Sequence, residues 1–165
     1  MCQPLIAEGE FALVRQHLES ALTRTGAWVG DHDLYAMLAD AAARQRDEAA
    51  LRQYAPLAEA TARRYEHKLY RAIAQRAWGV LHRLAGEHSE AEARLHLALE
   101  LFQELGARWQ VGCTLFELGE LGLARAQDGA VREQFVHALD AFESLGAAPD
   151  AARTRARLSS LGWQT

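Results

Sequence analysis

A displacement of 40 residues lays one stretch of this chain on another, and that regularity constrains the fold more than any other feature. Ala98, Leu99, Phe102, Leu105 and Gly106 return as Ala138, Leu139, Phe142, Leu145 and Gly146, and upstream Gly79 and Leu81 return as Gly119 and Leu121. Self-similarity at a period of roughly 20 to 50 residues marks stacked repeats, each a small element that buries its apolar face only against its neighbours.

The pattern inside each unit predicts two helices. In the middle unit the first runs from Lys68 to Ala85 and stops near Gly86, and the second runs from Ser89 to Leu105. Ser89 reads as an N-cap, with Glu90 and Glu92 in the first turn where the helix dipole favours acids. Gly106 fits the left-handed residue that closes a helix. Ala91, Leu95, Ala98, Leu99 and Phe102 fall on one stripe at helical spacing, and Val131, Phe135, Ala138, Leu139 and Phe142 repeat it in the third unit after a first helix from Arg108 to Ala126.

The first unit is fainter. It reads as a helix from Asp33 to Arg46, a break at Asp47, and a helix from Glu48 to Tyr65 with Ala50, Tyr54, Leu57 and Ala58 inward. Pro56 inside that helix predicts a kink or a late start, because proline lacks the backbone donor. Before it, Gly9, Val14, Leu18, Ala21 and Leu22 echo Gly86, Ala91, Leu95, Ala98 and Leu99, as a second helix without its first. After Pro149, Asp150 to Leu161 reads as one more helix, with Arg153, Arg155 and Arg157 outward and Leu158 and Leu161 packing. The expectation is one all-α domain over residues 1–165 with about eight helices: a half repeat at 4–26, repeats at about 31–66, 68–106 and 108–146, and a capping helix at 149–162.

Composition agrees with helices, since Ala supplies 33 residues and Pro only three. A net charge of −4 argues against a nucleic-acid surface, which needs clustered positive charge. Seventeen of the 18 basic residues are Arg, Lys68 is the lone Lys and Asn is absent, a bias that reads as genome composition or adaptation to heat. Cys2 and Cys113 are too few and too far apart for a disulfide framework or zinc site. Met1 to Glu10 lacks the basic start and apolar run of a secretion signal, and no stretch nears the roughly 18 apolar residues of a membrane span, so the sequence points to the cytoplasm.

Trp78-Gly79, Gly86, Ala91, Leu95 and Ala98 together resemble the tetratricopeptide repeat, and Gly119, Phe135 and Ala138 match in the third unit, with Val131 in place of an Ala. Gln75 and His82 depart from it, standing where that motif prefers large apolar or aromatic residues, and the period exceeds the usual length of about 34. The phrase LELFQELGARW, Leu99 to Trp109, and the closing stretch Ala138 to Gly162 are similar to long-period repeats of bacterial signal-transduction ATPases and transcriptional regulators. The resemblance implies a right-handed superhelical array of antiparallel helix pairs. It also implies a scaffold or sensor portion alone, because no phosphate-cradling Gly-rich loop with Lys and no basic DNA-reading helix occur.

In that family the first helix of each pair lines a concave groove. Carried over by position, the groove takes Ile73, Arg76, Val80 and Arg83 from the middle unit, Cys113, Phe116, Glu120 and Leu123 from the third, and Ala36, Asp40 and Arg44 from the first. Two Arg on one helix face suit a carboxylate or an acidic peptide. The competing reading pairs Arg76 and Arg83 with Glu120 or Asp40 of neighbouring repeats. The carboxylate clamp of chaperone-binding arrays is set aside, since it uses Asn.

Little else points to chemistry. His88, Glu92 and His96 recur at intervals of four, which places them on one helix face as a weak metal candidate beside the plainer reading of solvated surface. The remaining His, at 17, 32, 67, 82 and 137, have no partner at diagnostic spacing. Cys113 reads as packing before nucleophile. Trp78 reads as core between helices, Trp109 as a plug at a helix start, and Trp28 and Trp163 as contact points. The sequence therefore predicts a non-enzymatic protein-interaction module without cofactor or metal, binding a peptide or partner protein but no nucleic acid or membrane. The alternative is a self-associating sensor or scaffold part, with a homodimer as its simplest form.

Overall fold

The structure, a computed structural model, describes residues 11–25, 31–126 and 130–163. Among them stand eight α-helices and no strand: α1 Phe11–Thr25, α2 Asp31–Gln45, α3 Glu48–Arg64, α4 Lys68–Leu84, α5 His88–Glu104, α6 Arg108–Ala124, α7 Val131–Ser144 and α8 Ala148–Ser160. Gly9, Trp28 and Cys2 lie outside the described residues, as do the side chains of Ala21, Leu22 and His32. None of the described helices is long and apolar enough to cross a membrane.

The 40-residue period resolves into two equal halves. Residues with a left-handed backbone fall at Arg46, Glu66, Gly86, Gly106, Ala126 and Gly146, one every 20 residues, and a last one, Gly162, closes the shorter α8 after 16. At five of them the following residue closes a wide backbone bond onto the helix just ended: Asp47 N–H to Ala42, His67 to Ala62, Glu87 to His82, Ala107 to Phe102 and Ala147 to Phe142, at 2.8 to 3.1 Å. That is the Schellman closure. The same residue then starts the next helix, its carbonyl accepting from the residue four further on, as Asp47 does from Leu51 and Glu87 from Ala91. One residue thus serves as the end of one helix and the cap of the next.

These turns correct several boundaries. Glu87 holds the cap position of α5, so Ser89 is the second residue of the helix, within its first turn, and is exposed. Asp47 caps α3 with its carboxylate, which accepts from the Ala50 amide at 3.0 Å. That bond, followed by the Arg15 guanidinium, holds the Asp47 carboxyl below the usual carboxylate range. α3 has no late start, since it begins at Glu48 and runs unbroken through Pro56, whose missing donor costs one bond on an exposed position. Leu57 is exposed, and Leu51 takes the buried place beside Tyr54, Ala55 and Ala58.

The chain forms two compact units, residues 1–101 and 102–165. In the first, α1 packs on α2, α2 on α3 and α4, and α3 on α4, around Val14, Leu38, Leu51, Tyr54 and Val80. Tyr54 donates to Glu19 at 2.9 Å across 35 residues, and its phenol is pushed up to about 12 by burial and that bond. In the second, α6 packs on α7 and α7 on α8 around Phe116, Val131, Phe135, Phe142 and Leu158. Glycine lets the helices of a pair cross closely. A Cβ at Gly79 would lie 2.6 Å from Leu95 Cγ, and one at Gly119 would lie 2.8 Å from Phe135 Cζ.

Candidate functional site

Eight of the eleven residues that the resemblance assigns to a groove are buried in their own unit: Ala36, Asp40, Ile73, Arg76, Val80, Cys113, Phe116 and Glu120. Arg44, Arg83 and Leu123 are half-buried. In the first unit the Arg76 guanidinium donates to Asp40 at 2.6 Å, with side-chain exposures of 2% and 11%, so the two form a buried ion pair between α4 and α2. In the second, Glu120 accepts two bonds from Arg157 of α8, at 2.6 and 3.4 Å.

The arginines of α8 therefore do not all face outward. Arg153 lays its guanidinium 4.0 Å from the centre of the Phe116 ring, Arg157 grips Glu120, and only Arg155 is exposed. A planar cation over an aromatic face is favourable because the ring quadrupole is negative there. Trp109, in the first turn of α6, donates its indole N–H to Asp150 at 2.8 Å, and Trp163 packs against the same core. Cys113 is buried. His88, Glu92 and His96 do not converge, and among the described residues no three His, Cys, Asp or Glu side chains are placed to hold a metal ion.

A concavity of the first unit lies elsewhere, between α3 and α5 over the first half of α4. It encloses about 640 Å³ and is lined by Glu59, Ala62, Arg63 and Glu66 from α3 and its turn, His67, Lys68, Arg71 and Gln75 at and within α4, and Arg94 and Leu97 from α5. A volume of that size lies within the roughly 300 to 1,000 Å³ of small-ligand pockets.

Its floor is a bonded network. Glu59 Oε1 accepts from Gln75 at 3.2 Å, from Arg63 at 3.2 Å and from Arg94 at 3.5 Å, while Oε2 accepts from the Trp78 indole at 3.0 Å. Arg94 also donates to Gln75 Oε1 at 2.9 Å and to Glu90 at 3.0 Å, and its guanidinium lies over the Trp78 ring. One carboxylate is thus shared by three helices. At the rim, His67 caps α4 by accepting from the Tyr70 amide and stacks on the Tyr70 ring at 3.8 Å. Burial, then a hydrogen bond to Asp33, pushes the Tyr70 phenol up to about 12.

Gln75 is the one member of this network that stands out in the sequence, as a polar residue at a position the repeat motif keeps apolar. It is 3% exposed, and its amide satisfies both Glu59 and Arg94. His82, the other departure, contacts the Glu87 carboxylate and stacks on Trp78. The spacing of Glu59 to Arg94 repeats that of Glu19 to Tyr54, 35 residues in each case, so the network occupies a register that already bridges α1 and α3.

No family model, curated protein or solved structure matches the chain.

Proposed function

We propose that the chain is a protein-interaction module that holds a peptide or partner protein, in a bacterial signalling or regulatory system of the kind its resemblance to tetratricopeptide repeats implies. The observation that carries this reading is the cleft between α3 and α5, whose floor is immobilised by the Glu59 network while Arg63 and Arg71 remain exposed at its walls. A fixed floor with long polar side chains around it loses little freedom when a partner docks, which is what preorganisation contributes to affinity. No cofactor, metal or reaction enters the proposal.

A photo-crosslinking residue in place of Arg71, compared with one in place of the exposed Arg132, tests it in cells that express the protein. The expected result is an adduct with one protein from position 71 and none from 132, reproduced by calorimetry with purified components. Identical adducts from both positions, or none from either, would count against the reading.

A second reading, self-association, draws on an exposed apolar pair in the second unit. Leu105 and Leu145, 42% and 44% exposed, follow α5 and α7 at matching positions one repeat apart. Sedimentation velocity decides it, because a monomer at every concentration rejects the idea.

A further inference from the structure

We propose that the α3–α5 cleft is a receptor for a short acidic segment of a partner protein, with Arg63 and Arg71 meeting its carboxylates; this rests on the interaction-module reading. The lining carries four cationic side chains, Arg63, Lys68, Arg71 and Arg94, against two carboxylates, Glu59 and Glu66. That is an excess of two positive charges in a chain of net charge −4, so everything outside the cleft sums to −6. Positive charge has been gathered at one concave place on an acidic molecule.

The network says which cations remain to serve a ligand. Glu59, itself 21% exposed, is answered by Arg94, Gln75 and Trp78 as well as by Arg63. Arg63 is 79% exposed in its pair with Glu59, where a neighbouring carboxylate in water is worth little and is readily exchanged for another. Arg71 is exposed and makes no side-chain bond or ion pair with any described residue. Arg94, 30% exposed and held by Glu59, Glu90 and Gln75, supplies a fixed positive floor. Guanidinium groups at the wall suit carboxylates because their donors match two oxygens at once.

Two features favour a peptide over a nucleic acid. Among the described residues lining the cleft there is no Trp, Tyr or Phe on which bases could stack. A long polyanion would also run beyond the cleft onto the rest of a chain whose charge sums to −6 there, and like charges within a Debye length of about 8 Å repel. A short acidic stretch avoids both penalties, since its charge lies only where the cations are.

Fluorescence anisotropy with a labelled peptide of alternating Asp and Glu, on the full chain, tests the assignment. Arg63→Glu/Arg71→Glu is compared with Arg52→Glu/Arg132→Glu, an equal change in charge at exposed residues outside the lining. Circular dichroism melts establish that each variant is folded. The expected result is a loss of affinity of roughly tenfold or more in the cleft variant and no more than about twofold in the control. Equal losses in both variants, no peptide binding to the wild type, or equal binding of a labelled oligothymidylate would overturn the proposal. A crosslinked partner that binds Arg63→Glu/Arg71→Glu as it binds the wild type overturns the proposal and leaves the interaction-module reading standing. Peptide binding lost only in the cleft variant, with no protein ever crosslinked at position 71, counts against the interaction-module reading and so against a partner segment as the occupant, and leaves a cleft that binds acidic peptide.

Discussion

Replacing Gly119 with Ala should destabilise the protein, although in an exposed helix the same change would stabilise it. Ala exceeds Gly by about 1 kcal/mol in helix propensity, so the local term favours the variant. Against it stands the crossing with α7. The new Cβ would lie 2.8, 2.9 and 2.9 Å from Cζ, Cε1 and Cε2 of Phe135, distances that real Cβ atoms essentially never show. The ring has nowhere to withdraw, because Phe135 is fully buried and packs edge-on against Phe116, centroids 5.2 Å apart, with Arg153 over the Phe116 ring. Overpacking of this kind costs about 1 to 3 kcal/mol, and a rigid ring hemmed in by a second places this site at the upper end. The net loss is then about 2 kcal/mol, or a fall in Tm of roughly 4 to 8 °C for a chain of this length. Urea denaturation followed by circular dichroism reads the loss, and Phe135→Leu in the same background should recover about 1 kcal/mol of coupling in a double-mutant cycle. A Gly119→Ala variant more stable than the parent, or one that shows no coupling to Phe135, would refute the close crossing.

Other perturbations have equally definite signs. Asp40→Ala strips the ion-pair partner from a buried Arg76 and should cost about 3 to 5 kcal/mol, whereas Asp40→Leu with Arg76→Met should restore most of it; equal costs for the two variants in chemical denaturation contradict the buried pair. Ala126→Gly should raise stability by about 1 kcal/mol, because Ala126 has a φ of 53° where Gly86, Gly106 and Gly146 serve the equivalent turns; an unchanged midpoint would argue against that backbone. Tyr54 and Tyr70 have phenols raised to about 12, so folding favours their neutral forms. Their contribution is complete below the unfolded value of about 10 and is lost as pH rises towards 12. Tyr54→Phe should flatten that alkaline loss, and thermal melts across the range would show it.

The sequence carried the apolar stripes well because burial in stacked helices obeys one period. Val131, Phe135, Ala138, Leu139 and Phe142 are all buried, as their spacing requires. Half of the turn signal was hidden. Gly86, Gly106 and Gly146 announce themselves, but Arg46, Glu66 and Ala126 adopt the same left-handed backbone without a glycine, so the chain reads as a 40-residue period where the backbone keeps one of 20. Position in a motif was also a poor guide to access. Arg76 and Phe116 fall where a groove is expected, yet helix contacts within each unit cover them, and covering is a tertiary property. The cleft was missed for a related reason: Glu59, Gln75 and Arg94 lie 16, 19 and 35 residues apart in pairs and meet only because three helices stack.

The shared turn residue has a consequence for how this chain tolerates change in length. Since Asp47, His67, Glu87, Ala107 and Ala147 each close one helix and open the next, no spacer separates the helices they join to absorb an error. Loss of a single residue inside a helix rotates all that follows in it by about 100°, which carries a buried stripe to solvent. Loss or gain of two turns with their two helices joins like to like and leaves every stripe in phase. Length in this chain is quantised, and its natural unit of revision is the helix pair.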